Sequence, residues 1–205
     1  MVGFFRYGDC TAWGCPNCGA SPRERLVNAA LDRGLLRLPE NGRILQVAPS
    51  EISLVRRFRA QGHYVAGDLH PERYKSADTV RLDILDLNDS GGFDLIYASH
   101  VLEHVPDDTR ALRNLFAALN PGGELWLLVP LHDAPTVDGH AGMSPNDRER
   151  LFGQWDHVRQ YGPDFRQRIK QAGFDVVTLA AADFPESEVT KNGLDNDVIF
   201  RARKS

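Results

Sequence analysis

The chain reads as one α/β domain: a doubly wound, mostly parallel sheet of seven strands that ends in an antiparallel hairpin, preceded by a small cysteine-containing cap. Three observations predict this. Short apolar runs at 43–48, 63–67, 79–82, 93–98 and 124–129 are interleaved with helical patterns, the order that builds a parallel sheet with right-handed crossovers. The runs at 93–98 and 124–129 are almost uninterrupted, as expected of strands covered on both faces. The last two runs, 175–179 and 197–202, are joined by a link containing Pro185, Asn192 and Gly193 that is too short for a helical crossover, so they should pair antiparallel.

Each element has a local reason. The first twenty residues are rich in glycine, cysteine and aromatics and predict a small irregular cap. Residues 22–35 carry an apolar stripe of Leu26, Ala29, Ala30 and Leu31, with Pro22 suited to a first helical turn and Gly34 to a stop. After the strand at 43–48, Ser50 is the expected cap of a helix over 50–61, ended by Gly62. Asp68 and Asp83 close the second and third strands. Residues 107–119 place Leu112, Leu115, Phe116 and Leu119 on one helical face, and 165–172 is helical. The expected division is a cap and helix over 1–40, a core over 41–131, and a lid with the terminal hairpin over 132–205.

A length of 205 residues suits one compact core. The net charge of −4 offers no basic footprint for nucleic acid or an anionic membrane. No apolar run is long enough to span a bilayer, and the first residues lack a signal-peptide pattern, so a cytoplasmic location is expected. All three cysteines, Cys10, Cys15 and Cys18, lie in one short segment with the spacing Cys-x4-Cys-x2-Cys. That spacing is either a structural zinc knuckle, with Asp9, Glu24 or a distant histidine as fourth ligand, or three reduced thiols.

Open α/β sheets bind ligands beyond the carboxyl ends of their strands. Asp68, ending the second strand, is either an acceptor for two ribose hydroxyls or a solvated turn residue. His100, His104, His132 and His157 follow strand ends or lie in later loops, and histidine suits proton transfer near neutral pH. His157 is the first candidate base and His100 the second. A purely structural role for the Asp156-His157 segment is the competing reading. The loop at 139–147 is a candidate lid, and Phe152, Trp155 and Tyr161 either line a pocket or belong to the core.

Two stretches, Phe93-Asp94-Leu95-Ile96-Tyr97-Ala98-Ser99-His100-Val101-Leu102-Glu103-His104-Val105 and Leu119-Asn120-Pro121-Gly122-Gly123-Glu124-Leu125-Trp126-Leu127-Leu128-Val129-Pro130, resemble the second half of a class I S-adenosyl-L-methionine-dependent methyltransferase. Cys15-Pro16-Asn17-Cys18-Gly19, Ala48-Pro49-Ser50 and the late motif from Phe152 to Gly162 resemble, over nearly the whole chain, a bacterial subgroup of that family. That subgroup has Cys-Pro-x-Cys-Gly, an Ala-Pro-Glu first loop and Phe-Gly-Gln-x-Asp-His-Val-Arg-x-Tyr-Gly. Here Ser50 replaces the usual glutamate, Glu51 is adjacent, and Arg23-Glu24-Arg25 stands where the subgroup has Arg-His-Arg.

The resemblance implies a Rossmann-like sheet, S-adenosyl-L-methionine as cofactor and methyl transfer to a small-molecule acceptor. It implies cofactor contacts at Ala48, Pro49, Ser50, Asp68, Leu69, Asp83, Ile84, Ser99 and His100. Asp83 would accept from the adenine amino group, unless it caps a turn or Asp86 takes the role. Arg25 would meet the cofactor carboxylate or lie on a helix surface. The first loop lacks the usual glycine-rich turn, and Pro49 has no N–H to donate. This leaves two rivals: the same cofactor used for cyclisation, elimination or aminocarboxypropyl transfer, and a non-catalytic binding module.

Overall fold

The computed structural model describes residues 5–7, 10–75, 78–87 and 92–205, with side chains from Trp13 onward. The cap opens with an antiparallel hairpin, β1 (Phe5–Tyr7) and β2 (Cys10–Gly14), where an irregular segment was expected. Then follow α1 (Pro22–Asp32), β3 (Arg43–Val47), α2 (Ile52–Arg59), β4 (His63–Asp68), β5 (Thr79–Arg81), β6 (Phe93–Ser99), α3 (Asp108–Ala118) and β7 (Leu119–Leu128). The last part contains β8 (Val137–Asp138), α4 (Pro145–Phe152), β9 (Arg159–Gln160), α5 (Phe165–Gln171), β10 (Asp175–Ala180), α6 (Glu186–Asn192) and β11 (Val198–Arg203). Among the described residues no helix is long and apolar enough to cross a membrane.

The main sheet has seven strands in the order β10-β11-β7-β6-β3-β4-β5, parallel except for β11, which is antiparallel to both β10 and β7. The chain moves outward from β3 to β4 and β5, then returns to β6 beside β3 and moves the other way. The topological switch point therefore lies between β3 and β6, where the two outgoing loops diverge and open a crevice.

Alternation along the strands divides the core in two. Leu45, Ile96, Ala98, Leu125, Leu127 and Phe200 face α3 and α5. Ile44, Leu95, Tyr97, Trp126, Leu128 and Ile199 face α1 and α2. The uninterrupted apolar runs follow from this, since each strand is covered on both faces.

Some boundaries differ from the sequence expectation. Residue 50 does not cap α2. The helix begins at Ile52, Glu51 holds the N-cap position, and no side chain of that residue caps it. Instead Glu24 reaches across from α1, accepting from the Ser53 N–H at 2.8 Å and the Ser53 hydroxyl at 2.6 Å. A carboxylate at a helix N-terminus satisfies free N–H groups and complements the helix dipole. This also gives Glu24 a task other than ligating zinc. β7 starts at Leu119 rather than residue 124, with a shift of register against β6. The link between the final strands holds α6, yet those strands pair antiparallel as expected. The loop at 139–147 runs into α4, capped by Ser144, whose hydroxyl accepts from the Asp147 N–H.

Candidate functional site

Two residues mark the crevice. Ala48, just past β3, has φ +52°, and His100, just past β6, has φ +54°. Both are left-handed conformations that cost an L-residue roughly 1–2 kcal/mol, and such strain concentrates at binding sites. The Ala48 N–H donates to Gly67 O at 2.9 Å, and the Ser50 N–H donates to Ala48 O at 2.7 Å. With Pro49 lacking an N–H, every amide of the Ala48-Pro49-Ser50 loop is spent inside the protein or missing.

The floor beneath this loop is Glu51. It is 3 % exposed, and its Oε1 accepts from Arg23 Nε and from the Ser99 hydroxyl, each at 3.0 Å. Its Oε2 is buried without a hydrogen-bond partner. Burial pushes the carboxyl above the usual range, and the Arg23 guanidinium opposes that rise. The sequence placed the interest on Ser50; the buried member of the pair is Glu51. Asp197, just before β11, is likewise pushed up by burial and is held back by His100 and Arg23, so it faces the same crevice.

Asp68 stands half-buried at the end of β4. Its Oδ1 accepts from the His70 N–H at 2.7 Å and its Oδ2 from the Tyr74 hydroxyl at 3.1 Å. The carboxylate is thus oriented, and Leu69 beside it is exposed. Asp83 accepts from the Leu85 N–H at 2.8 Å, the turn-capping role given as its alternative. Ile84 is buried, and its carbonyl accepts from Asn114 at 3.0 Å.

Arg25 is only 7 % exposed and donates to the carbonyls of Trp13, Ala20, Asn192 and Gly193. It joins the cap to the C-terminal segment, which is neither a helix-surface position nor one poised for a ligand carboxylate.

The late motif docks on the loop after β6. Val158 N–H donates to Glu103 O at 2.8 Å, Tyr161 Oη donates to Asp108 Oδ2 at 2.8 Å, and a Cβ at Gly162 would overlap the Ala134 carbonyl. Arg159, 4 % exposed, donates to Leu102 O, Val105 O, Pro106 O and Asp138 Oδ1. His157 Nδ1 lies 3.1 Å from Phe152 O, and its ring packs edge-on against His104 with centroids 4.7 Å apart. Burial lowers the His157 pKa, and the His104 ring adds to that, so the imidazole is neutral near pH 7. Phe152 and Tyr161 are core, whereas Trp155 is 60 % exposed, and His132 is an exposed loop residue.

Cys10 lies outside the described side chains, so the thiol cluster is seen only in part. Cys15 and Cys18 are free. Burial raises the Cys15 pKa, but the backbone around Asn17 and Cys18, the Cys18 thiol and Arg25 lower it by more.

The family model described as "Methyltransferase domain" matches residues 10–179. No curated protein matches the chain. Among solved structures, a Haloferax volcanii complex between the methyltransferase activator Trm112 and its methyltransferase aligns at TM-score 0.61 with 14 % identity, covering 89 % of both chains. The 1,6-didemethyltoxoflavin-N1-methyltransferase of Burkholderia thailandensis, solved with 1,6-didemethyltoxoflavin and S-adenosylhomocysteine, aligns at TM-score 0.59 with 18 % identity, covering 90 % of this chain and 78 % of that one. An S-adenosylmethionine-dependent methyltransferase from Mesorhizobium loti aligns at TM-score 0.59 with 19 % identity, covering 84 % of this chain and 95 % of that one. At these identities the likeness concerns the fold: the seven-stranded sheet with its antiparallel β11 is theirs as well. With a family match over most of its length, the chain belongs to the methyltransferase domain family.

Proposed function

We propose that the chain is an S-adenosyl-L-methionine-dependent methyltransferase acting on a small-molecule acceptor. The observation that carries this reading is the pair of left-handed residues, Ala48 and His100, flanking the switch point with Asp68 oriented on the neighbouring strand end. The residues fit a nucleoside-bearing cofactor. Asp68 would accept the ribose hydroxyls beside Leu69, Asp83 and Ile84 would border the base, and Ser99 with His100 would border the methionine part. Because the amides at Ala48 and Ser50 are committed and Pro49 has none, side chains must hold the amino-acid end. Arg23 for the carboxylate and Asp197 for the ammonium are the groups of suitable charge, in place of Arg25.

The bound cofactor supplies an activated methyl group. The chain's own part is to orient the acceptor, exclude water and take a proton. His100 is the proposed proton acceptor, and the exposed Trp155 offers an apolar surface to the acceptor. The net charge of −4 favours a small molecule over a nucleic acid as acceptor.

Calorimetry with S-adenosylmethionine and S-adenosylhomocysteine tests the reading. Asp68→Ala should weaken binding by about 1.5–3 kcal/mol, the range for hydrogen bonds to a charged group. Tyr74→Phe, which only loosens the carboxylate, should cost less. Absence of heat for either ligand with the unmodified protein overturns the cofactor assignment. Equal affinity in Asp68→Ala overturns the ribose role.

A further inference from the structure

The loop leaving β6 carries a second group of residues that the cofactor crevice does not use. Glu103 is 1 % exposed, and both of its carboxylate oxygens lack a hydrogen-bond partner. Burying a carboxylate without donors is costly, so its surroundings matter. They are imidazoles. His100 Nδ1 is 3.3 Å from Oε1, off hydrogen-bond geometry, and one ligand atom from each of Glu103, His104 and His157 lies within 4.8 Å of the other two.

The outer partners of the two rings are informative. His104 Nδ1 lies 3.4 Å from Asp156 Oδ2, and His157 Nδ1 lies 3.1 Å from the Phe152 carbonyl. The His157 Nδ1–H donates to the Phe152 carbonyl, which leaves that ring's lone pair on Nε2, and the Asp156 carboxylate stands beside the Nδ1 of His104. A carboxylate behind one histidine and a backbone carbonyl behind the other is how metal-ligating imidazoles are held.

We propose that Glu103, His104 and His157 form a binding site for a divalent transition-metal ion at the carboxyl end of β6. Two imidazoles and one carboxylate suit zinc, cobalt, manganese or iron(II) better than calcium or magnesium. Three protein ligands leave at least one coordination position open, which distinguishes this from a closed structural site. Glu103 follows His100 by one turn of chain, so the ion would border the acceptor side of the crevice. There it would bind an acceptor oxygen and lower its pKa. Binding of the ion stands without the methyltransferase reading, whereas that role rests on it.

The experiment titrates the chelator-treated full chain with Co²⁺, followed by visible absorption and calorimetry, with S-adenosylhomocysteine binding measured on the same samples. One equivalent should bind and give ligand-field bands. Glu103→Gln, His104→Ala and His157→Ala should each lower the affinity at least tenfold, and Asp156→Asn should lower it about 10–100-fold. Replacing Cys10, Cys15 and Cys18 by serine should leave the bands in place.

A Co²⁺ spectrum dominated by thiolate charge transfer and lost with the cysteines overturns the proposal, as does unchanged affinity in Glu103→Gln. If a variant fails to fold, imidazole NMR of the unmodified chain decides. Zn²⁺ should move the ring signals of His104 and His157 and spare those of His63, His70 and His140; no movement overturns the proposal. Metal binding without S-adenosylhomocysteine binding would leave the site standing and remove the methyltransferase reading. The reverse result would do the opposite.

Discussion

Removing the Arg159 guanidinium tests how the late motif is held. Its side chain is 4 % exposed, and its donors meet Leu102 O at 2.7 Å, Pro106 O at 2.9 Å, Asp138 Oδ1 at 3.0 Å and the Val105 carbonyl. In Arg159→Ala the losses are unequal. Leu102 O keeps the Val105 N–H at 3.2 Å, and Asp108 keeps Tyr161 at 2.8 Å and Arg168 at 3.0 Å. The buried Val105 carbonyl loses its donor, at about 1–3 kcal/mol, while the carbonyl of the exposed Pro106 can turn to water. Loss of the guanidinium's packing adds to this, for a total of about 3–5 kcal/mol, the range for breaking one side of a buried ionic network. At about 2–4 °C per kcal/mol for a domain of this size, the melting temperature should fall by roughly 6–20 °C. Arg168→Ala is the control: that side chain is 23 % exposed and meets carboxylates that keep other partners, so its loss should cost about 1 kcal/mol. Urea unfolding followed by tryptophan fluorescence measures both. If Arg159→Ala is no more destabilised than Arg168→Ala, the network does not hold the motif to the loop.

Two further outcomes are expected. Burial raises the Glu124 pKa, but hydrogen bonds from Arg201 and Trp126 more than offset it, so the folded value is depressed. The unfolded chain then takes up the proton first; the stabilisation is complete above the ordinary carboxylate range and is lost as pH falls through the folded value. Urea midpoints should drop between about pH 5 and pH 3, and Glu124→Gln should flatten that drop; an equally steep profile in the variant speaks against the pairing. For Cys15, the rate of iodoacetamide alkylation, read by peptide mass spectrometry, should inflect below the ordinary thiol value of 9.0. An inflection at or above that value contradicts the hydrogen-bonded arrangement around the thiol.

The sheet was legible because its signal is redundant. Leu95, Ile96, Tyr97 and Ala98 are apolar whichever face they take, and both faces are covered. Strand ends were legible for the same reason: Asp68 and Ser99 break those runs. The helix over α4 was missed although Ser144-Pro145 with Asp147, and Gly153 in a left-handed conformation after it, form a start and stop signal. Its apolar content is too small for periodicity to register. Glu51 and Glu103 were illegible for a deeper reason. A glutamate in a sequence reads as solvated, and only tertiary packing reveals that these two are buried. Arg25 and Arg159 illustrate the same limit, because most of their partners are backbone carbonyls, and carbonyls have no sequence identity. His157 is the sequence's first candidate base, but the groups that surround it, Phe152 O and the His104 ring, are properties of the folded loop.

The position of Arg25 has a consequence for how the chain assembles as it is made. One guanidinium joins the carbonyls of Trp13 and Ala20 to those of Asn192 and Gly193. Synthesis is vectorial and runs at about 5–20 residues per second, so helix α1 emerges well before its last acceptors exist. Until residue 193 has cleared the ribosome, the guanidinium must wait without its Asn192 and Gly193 acceptors. The sheet strands from β3 to β7 can pair in that interval, but the cap cannot be locked. The segment between Trp13 and Arg25 is therefore expected to become protected only with the late elements, alongside β10 and β11, although it is among the first to be synthesised.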